Sequence, residues 1–181
     1  MSNQLIISII IPVYNGEKFI RDCFNVLADQ KDINKYEIVV VDDASTDNSI
    51  NLLKSLNFEN LKIFSLPKNS GPSAARNFGL KKSKGEYIYF FDVDDSIEKN
   101  ALEILSDVAR STKCDYIFSD FKKIENKKNR RENKYNYPAD KFFQELDIID
   151  AMKRELNDAS LGHLGLFGCN GRLIKRSLLI D

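Results

Sequence analysis

Residues 5–11, LIISIII, are nearly all apolar and β-branched. A strand covered on both faces reads this way, whereas a half-exposed strand alternates. The period then changes. Phe19, Ile20, Cys23, Phe24 and Leu27 fall at i, i+1, i+4, i+5 and i+8, the stripe of a helix. Residues 37–41, EIVVV, predict a second buried strand, ended by Asp42-Asp43-Ala44-Ser45-Thr46-Asp47. A helix with Ile50, Leu53 and Leu56 on one face follows, then a strand at 61–66, LKIFSL. Pro72 marks the next helix start, where its missing N–H does no harm, and that helix reaches about Lys82. A strand at 86–91, EYIYFF, runs into acidic residues. A helix through Leu102, Leu105, Val108 and Ala109 precedes a strand at 115–119.

Strand and helix in alternation predict an α/β fold with parallel pairing and right-handed crossovers. Such sheets bind ligands at the carboxyl ends of their strands. The polar clusters fall there: Tyr14-Asn15, Asp42-Asp43, and Asp92 to Asp95. After residue 120 the pattern weakens. Residues 122–134 are basic and polar, and fit a solvated loop or contact with a phosphate-bearing acceptor or membrane surface. Residues 140–156 return to helix period, and 161–180 mix glycine with apolar residues before ending on RLIKRSLLI.

Composition narrows the function. Lys+Arg and Asp+Glu are equal at 27 each, so no net field attracts nucleic acid. Cys23, Cys114 and Cys169 form no CxxC pair, which disfavours zinc and suits a reducing, cytoplasmic setting. The apolar start is too short for a membrane span of roughly 20 residues. The 181 residues suit one domain.

The acidic clusters carry the chemistry. Asp92-Val93-Asp94 on an extended stretch would put two carboxylates on one side, a grip for Mn²⁺ or Mg²⁺ completed by phosphate oxygens. The alternative is a cap from Asp95 or Ser96, with Asp92 and Asp94 solvated. Ser45 or Thr46 would cap the helix after strand two, which leaves at least one of Asp42 and Asp43 spare for a ligand. Asp43 could then accept a base imide N–H, with an Asx turn as the alternative. Arg76 sits in a small-residue helix start, where it could meet a phosphate or pair with a carboxylate. His163 is a structural histidine or a metal ligand.

SIIIPVYNGEKFI, VVVDDASTDNS, NSGPSAARNFGL and GEYIYFFDVDD, in that order, resemble the start of a family 2 glycosyltransferase with the GT-A fold. FGCNGRLIKRSLL resembles the region after its donor domain. The resemblance implies a Rossmann-like, mostly parallel sheet flanked by helices, a nucleotide-sugar donor (most often UDP-linked), a divalent metal, and inversion at the anomeric carbon. It implies that Pro12 and Tyr14 line the base pocket and Asp43 reads the base. Asp92 would lie by ribose and metal, Asp94 would bind the metal, and Glu17 and Arg76 would be further donor contacts. The acceptor would be a glycan or lipid-linked glycan, at the inner face of a membrane. Peripheral membrane association belongs to the full-length protein in this picture. One domain over 1–181 is expected, with a donor part at about 5–120 and a partial acceptor-side region at about 121–181. The family's acidic base motif does not follow Asn170-Gly171-Arg172-Leu173, so the base is expected beyond Asp181, with Asp158 and Asp181 as weaker choices. A donor-binding module without catalysis is the alternative. A sugar nucleotidyltransferase is disfavoured, because IPVYNGEK has one glycine and one lysine where a triphosphate loop needs more.

Overall fold

The computed structural model describes residues 7–119 and 171–180. The basic run at 122–134, the helix period at 140–156, Asp158, His163, Cys169 and Asp181 lie outside the described residues. In chain order the elements are β1 (Ile7–Val13), α1 (Ile20–Ala28), β2 (Glu37–Asp42), α2 (Ser49–Lys54) and β3 (Leu61–Ser65). Then come α3 (Pro72–Lys82), β4 (Tyr87–Phe90), α4 (Ala101–Thr112), β5 (Tyr116–Phe118) and β6 (Arg172–Lys175). Among the described residues, no helix is long and apolar enough to cross a membrane.

The strands form one sheet in the order β3-β2-β1-β4-β6-β5. β1 pairs in parallel with β2 and β4, and β2 with β3. The central strands are buried on both faces, as their unbroken apolar runs require. One face packs Ile7, Ile9, Ile11 and Val13 against Phe24 and Leu27 of α1 and Leu102 and Leu105 of α4. Each fully buried side chain of this size contributes about 1.5–3 kcal/mol. The other face carries α3, which comes close because Gly79 has no side chain. A Cβ there would stand 2.6 Å from Ile10 Cγ2 and 3.3 Å from Val41 Cγ2.

Two expectations need correction. The first strand runs on through Pro12 to Val13. The parallel pattern also breaks at the far edge, where β6 inserts between β4 and β5 and runs antiparallel to both. Its four residues, RLIK, are too short and too polar at the ends to announce a strand by period. Lys175 Nζ reaches Asp115 Oδ1 at 2.8 Å, and the Arg176 N–H donates to Glu86 O at 2.8 Å, which fixes its end.

The amino ends of the strands hold a buried carboxylate. Glu37 sits opposite Ser8 in the β1–β2 register. Its carboxylate accepts hydrogen bonds from Ser8 Oγ, Lys62 Nζ and the Lys84 N–H. Burial pushes the Glu37 carboxyl up, but the bonds from Lys62, Ser8 and Lys84 outweigh it and hold its pKa below the usual range. Gly85 closes this end by donating its N–H to Ser8 Oγ at 2.8 Å. A Cβ on Gly85 would lie 2.6 Å from the Ser8 backbone nitrogen.

Candidate functional site

The β1–β4 ladder ends where the Phe91 N–H donates to Ile10 O at 3.0 Å. Two residues further along, Pro12 has no N–H to continue it. Strand order also reverses here, with β2 and β3 on one side of β1 and β4 on the other. A crevice beyond the carboxyl ends of the strands at such a reversal is where open α/β sheets take ligands.

Two loops form one side of that crevice and are laced together. Asn15 and Ala44 adopt left-handed backbones, with φ of 50° and 59°. The Asn15 N–H donates to Ser45 Oγ, and Asn15 Oδ1 accepts the Thr46 N–H at 2.8 Å. The Gly16 N–H donates to Ser49 Oγ at 2.9 Å. Ser45 and Thr46 are therefore braces for the Asn15 loop and not helix caps. α2 begins at Ser49, with no side-chain cap bond from Asn48, and the Ser49 N–H is taken by Asp47 Oδ1.

Both aspartates at the end of β2 accept backbone hydrogen bonds from the fold. Asp42 Oδ1 accepts the Ser45 N–H at 3.2 Å, closing a turn. Asp43 accepts the Ser70 N–H at 2.8 Å on one oxygen and the Gly71 N–H at 2.7 Å on the other. It thereby pins the loop that starts α3, where Gly71 takes a φ of 88°. Each carboxylate oxygen keeps a second lone pair, so Asp43 can still accept one more donor from the cleft it lines.

The third wall is the acidic stretch. It is not extended: the Asp95 N–H donates to Asp92 O at 3.0 Å, so Asp92-Val93-Asp94-Asp95 is a turn. Asp95 and Ser96 do not cap α4, which begins five residues later at Ala101. Gln30 steadies that start instead, donating to Glu98 O and accepting the Leu102 N–H. The positive charge beside Asp92 is Arg76, whose Nη2 lies 2.6 Å from Asp92 Oδ1. Arg76 Nε is buried and has no hydrogen-bond partner. Asp94 is exposed. The field of these acids reaches inward. The Cys23 thiol is pushed up to about 12 by burial, then by Asp95 and Asp94.

These walls enclose a cleft of about 360 Å³ lined by Pro12, Tyr14, Asp43, Arg76, Asp92 and Asp94. Glu17 is not among its lining residues; its carboxylate accepts the Asn48 N–H at 3.1 Å. Sequence reasoning missed Asn69 and Phe19, which also line it. Phe19 was expected on the buried stripe of α1, yet it is 45% exposed, because the helix begins one residue later at Ile20. Asn69 belongs to the polar stretch Lys68-Asn69-Ser70-Gly71-Pro72, which reads as a loop in sequence without saying which of its residues faces a cleft.

No group of three or more metal-ligating side chains gathers among the described residues. Mg²⁺ and its like are commonly held by one or two carboxylates plus substrate phosphates. Asp92 and Asp94 on one cleft wall fit that kind of site, and fit no all-protein cage.

The chain resembles known proteins along most of its length. It is 40% identical over 107 residues to an uncharacterized glycosyltransferase of Haemophilus influenzae, covering 56% of this chain and 41% of that one. It is 46% identical over 100 residues to the poly(ribitol-phosphate) beta-N-acetylglucosaminyltransferase TarS of Staphylococcus aureus, covering 53% of this chain and 17% of TarS. The crystal structure of S. aureus TarS 1–349 in complex with UDP-GlcNAc superposes with a TM-score of 0.73 at 29% identity, covering 96% of this chain and 46% of that one. This chain thus spans less than half the length of each. Its six-stranded sheet with helices on both faces is the GT-A architecture of these neighbours. The model of glycosyl transferase family 2 matches residues 8–180, and the chain belongs to that family.

Proposed function

We propose that this chain is the donor-binding part of an inverting glycosyltransferase. It takes a sugar from a nucleotide-diphosphate donor, a UDP-sugar, and delivers it to a glycan or lipid-linked acceptor. One observation carries the reading. Loops after β1, β2 and β4, with the start of α3, bring Pro12, Tyr14, Asp43, Arg76, Asp92 and Asp94 onto one cleft. The TarS relative solved with UDP-GlcNAc supports the donor class, and its poly(ribitol-phosphate) name supports a polymeric acceptor.

Each residue has a task in this reading. Pro12 and Tyr14 form apolar walls for the base, and Asp43 accepts its imide N–H through a remaining lone pair. Arg76 and Asp92 stand by the ribose and diphosphate. Asp94, with Asp92, would hold Mn²⁺ or Mg²⁺. Such a cation, when bound, neutralises charge on the leaving diphosphate, worth several kcal/mol at the transition state. Inversion has the acceptor oxygen attack the face opposite the diphosphate, while a carboxylate takes its proton for roughly 10²–10⁴-fold. Residues at about 5–120 form the donor part and those at about 121–181 belong to the acceptor side. We also propose a cytoplasmic setting, at the inner face of a membrane in the full-length protein; Cys23 and Cys114, both free thiols, suit a reducing compartment.

Thermal shift tests the reading. UDP and UDP-GlcNAc with Mn²⁺ should raise the melting temperature, since ligand at 100 times Kd adds about 2.7 kcal/mol. An equal response to GDP would remove the UDP assignment. A second reading has its own observation: Asp43 and Asp92 are already bound by protein donors, which leaves no described cleft carboxylate obviously free as base if Asp94 serves a metal. The chain would then bind donor without transfer, and product analysis with added glycan acceptor separates the two.

A further inference from the structure

The pattern that resembles donor-binding motifs names Glu17 as a contact, but its side chain points to a different task. Glu17 Oε2 accepts the Asn48 N–H at 3.1 Å. In return, the Glu17 N–H donates to Asp47 Oδ2 at 3.1 Å. Asp47 thus holds the Glu17 backbone while Glu17 holds the Asn48 backbone, a double link across about 30 residues of sequence. On either side of this clasp lie the bonds from Gly16 to Ser49 and between Asn15 and Ser45–Thr46. Asn15 and Gly16 line the cleft, as does Tyr14, which is 49% exposed.

We infer that Glu17 is a positioning residue: it tethers the Tyr14–Gly16 wall to the start of α2 and so presets the cleft for its nucleotide. The inference rests on the donor-site reading above. A neutral acceptor oxygen suffices for the tether, so charge is not its basis. Glu17→Gln keeps an acceptor; Glu17→Ala removes it.

The experiment compares UDP binding by calorimetry, amide hydrogen exchange and melting temperature in the wild type, E17A and E17Q. E17A should weaken UDP about three- to tenfold, the range of one lost hydrogen bond. It should also speed exchange at Asn15 and Thr46, with an unchanged melting temperature, and E17Q should restore all of this. UDP affinity within twofold of wild type for E17A, with unchanged exchange, overturns the inference. So does an E17Q as weak as E17A, which would make Glu17 a charged ligand contact, or a binding loss that follows a fall in melting temperature. If the wild type does not bind UDP, the donor reading falls. Exchange then decides the tether alone: faster in E17A and restored in E17Q upholds it, and no change overturns it.

Discussion

The same parallel sheet carries carboxylates at both ends and treats them differently. At the amino ends, Glu37 is 1% exposed and meets a hydroxyl, an ammonium and a backbone N–H. Three donors from within the protein meet it and solvent does not reach it, so nothing about it invites a ligand. At the carboxyl ends, Asp43, Asp92 and Asp94 share the wall of an open cleft. Asp43 and Asp92 are partly engaged, by the 70–71 backbone and by Arg76, and Asp94 stands in solvent. Burial and charge alone do not separate an acid that the fold closes off from one that faces a cleft. The separation comes from whether the protein itself completes the acid's hydrogen bonds.

Substitutions at the two ends should fail in different ways. The largest effect is expected for Asp94→Asn. Mn²⁺-dependent turnover or hydrolysis of a UDP-sugar should fall about a thousandfold, the scale of losing one transition-state charge contact, while the melting temperature without ligand holds. Wild-type turnover in D94N would remove Asp94 from the metal's site. Gly85→Ala comes next and strikes the other end. Its Cβ would meet the Ser8 backbone at 2.6 Å. Chemical denaturation should report a loss of about 3 kcal/mol, at the upper end for overpacking. UDP affinity of the folded fraction should be unchanged.

Glu37→Gln should cost about 2 kcal/mol by removing one side of a hydrogen-bonded charge pair. Its pH dependence has a definite sign. The Glu37 pKa is lowered in the fold, below its ordinary value of 4.5. Its stabilisation is therefore complete above the unfolded pKa and is lost as pH falls through the folded one. Wild type and E37Q should differ by a constant amount from about pH 8 to about pH 5, and converge below about 4.5. A gap that widens on acidification contradicts this assignment. The smallest effect concerns Cys23. With its pKa pushed up to about 12, the buried thiol should resist alkylation at pH 8 in the folded protein, while half-buried Cys114 reacts before it. Mass spectrometry of peptides after brief iodoacetamide treatment reads the order.

Period and punctuation made much of the fold readable. The runs in β1 and β2 could only be buried strands, and α3 begins at Pro72 and ends at Lys82 as its signals indicate. β6 was not readable, because four residues carry no period and its partners lie more than 50 residues away. The cleft was legible as residue types at strand ends. What those residues do locally was not. That Asp43 pins Ser70 and Gly71, that Arg76 answers Asp92, and that Ser45 braces Asn15 are all contacts between distant segments. Capping rules look only a few residues along the chain, so they assigned Ser45, Thr46, Asp95 and Ser96 to helix ends that start elsewhere. Glu37 gave no sign either, since an acid heading a buried strand looks like a boundary.

Calorimetric titration of UDP, with and without Mn²⁺, into the wild type and Asp43→Ala tests the central claim most directly. The expected result is saturable binding that Mn²⁺ strengthens in the wild type and that falls at least tenfold in D43A. Absence of heat from UDP in the wild type under both conditions, or equal affinity in D43A, would contradict it.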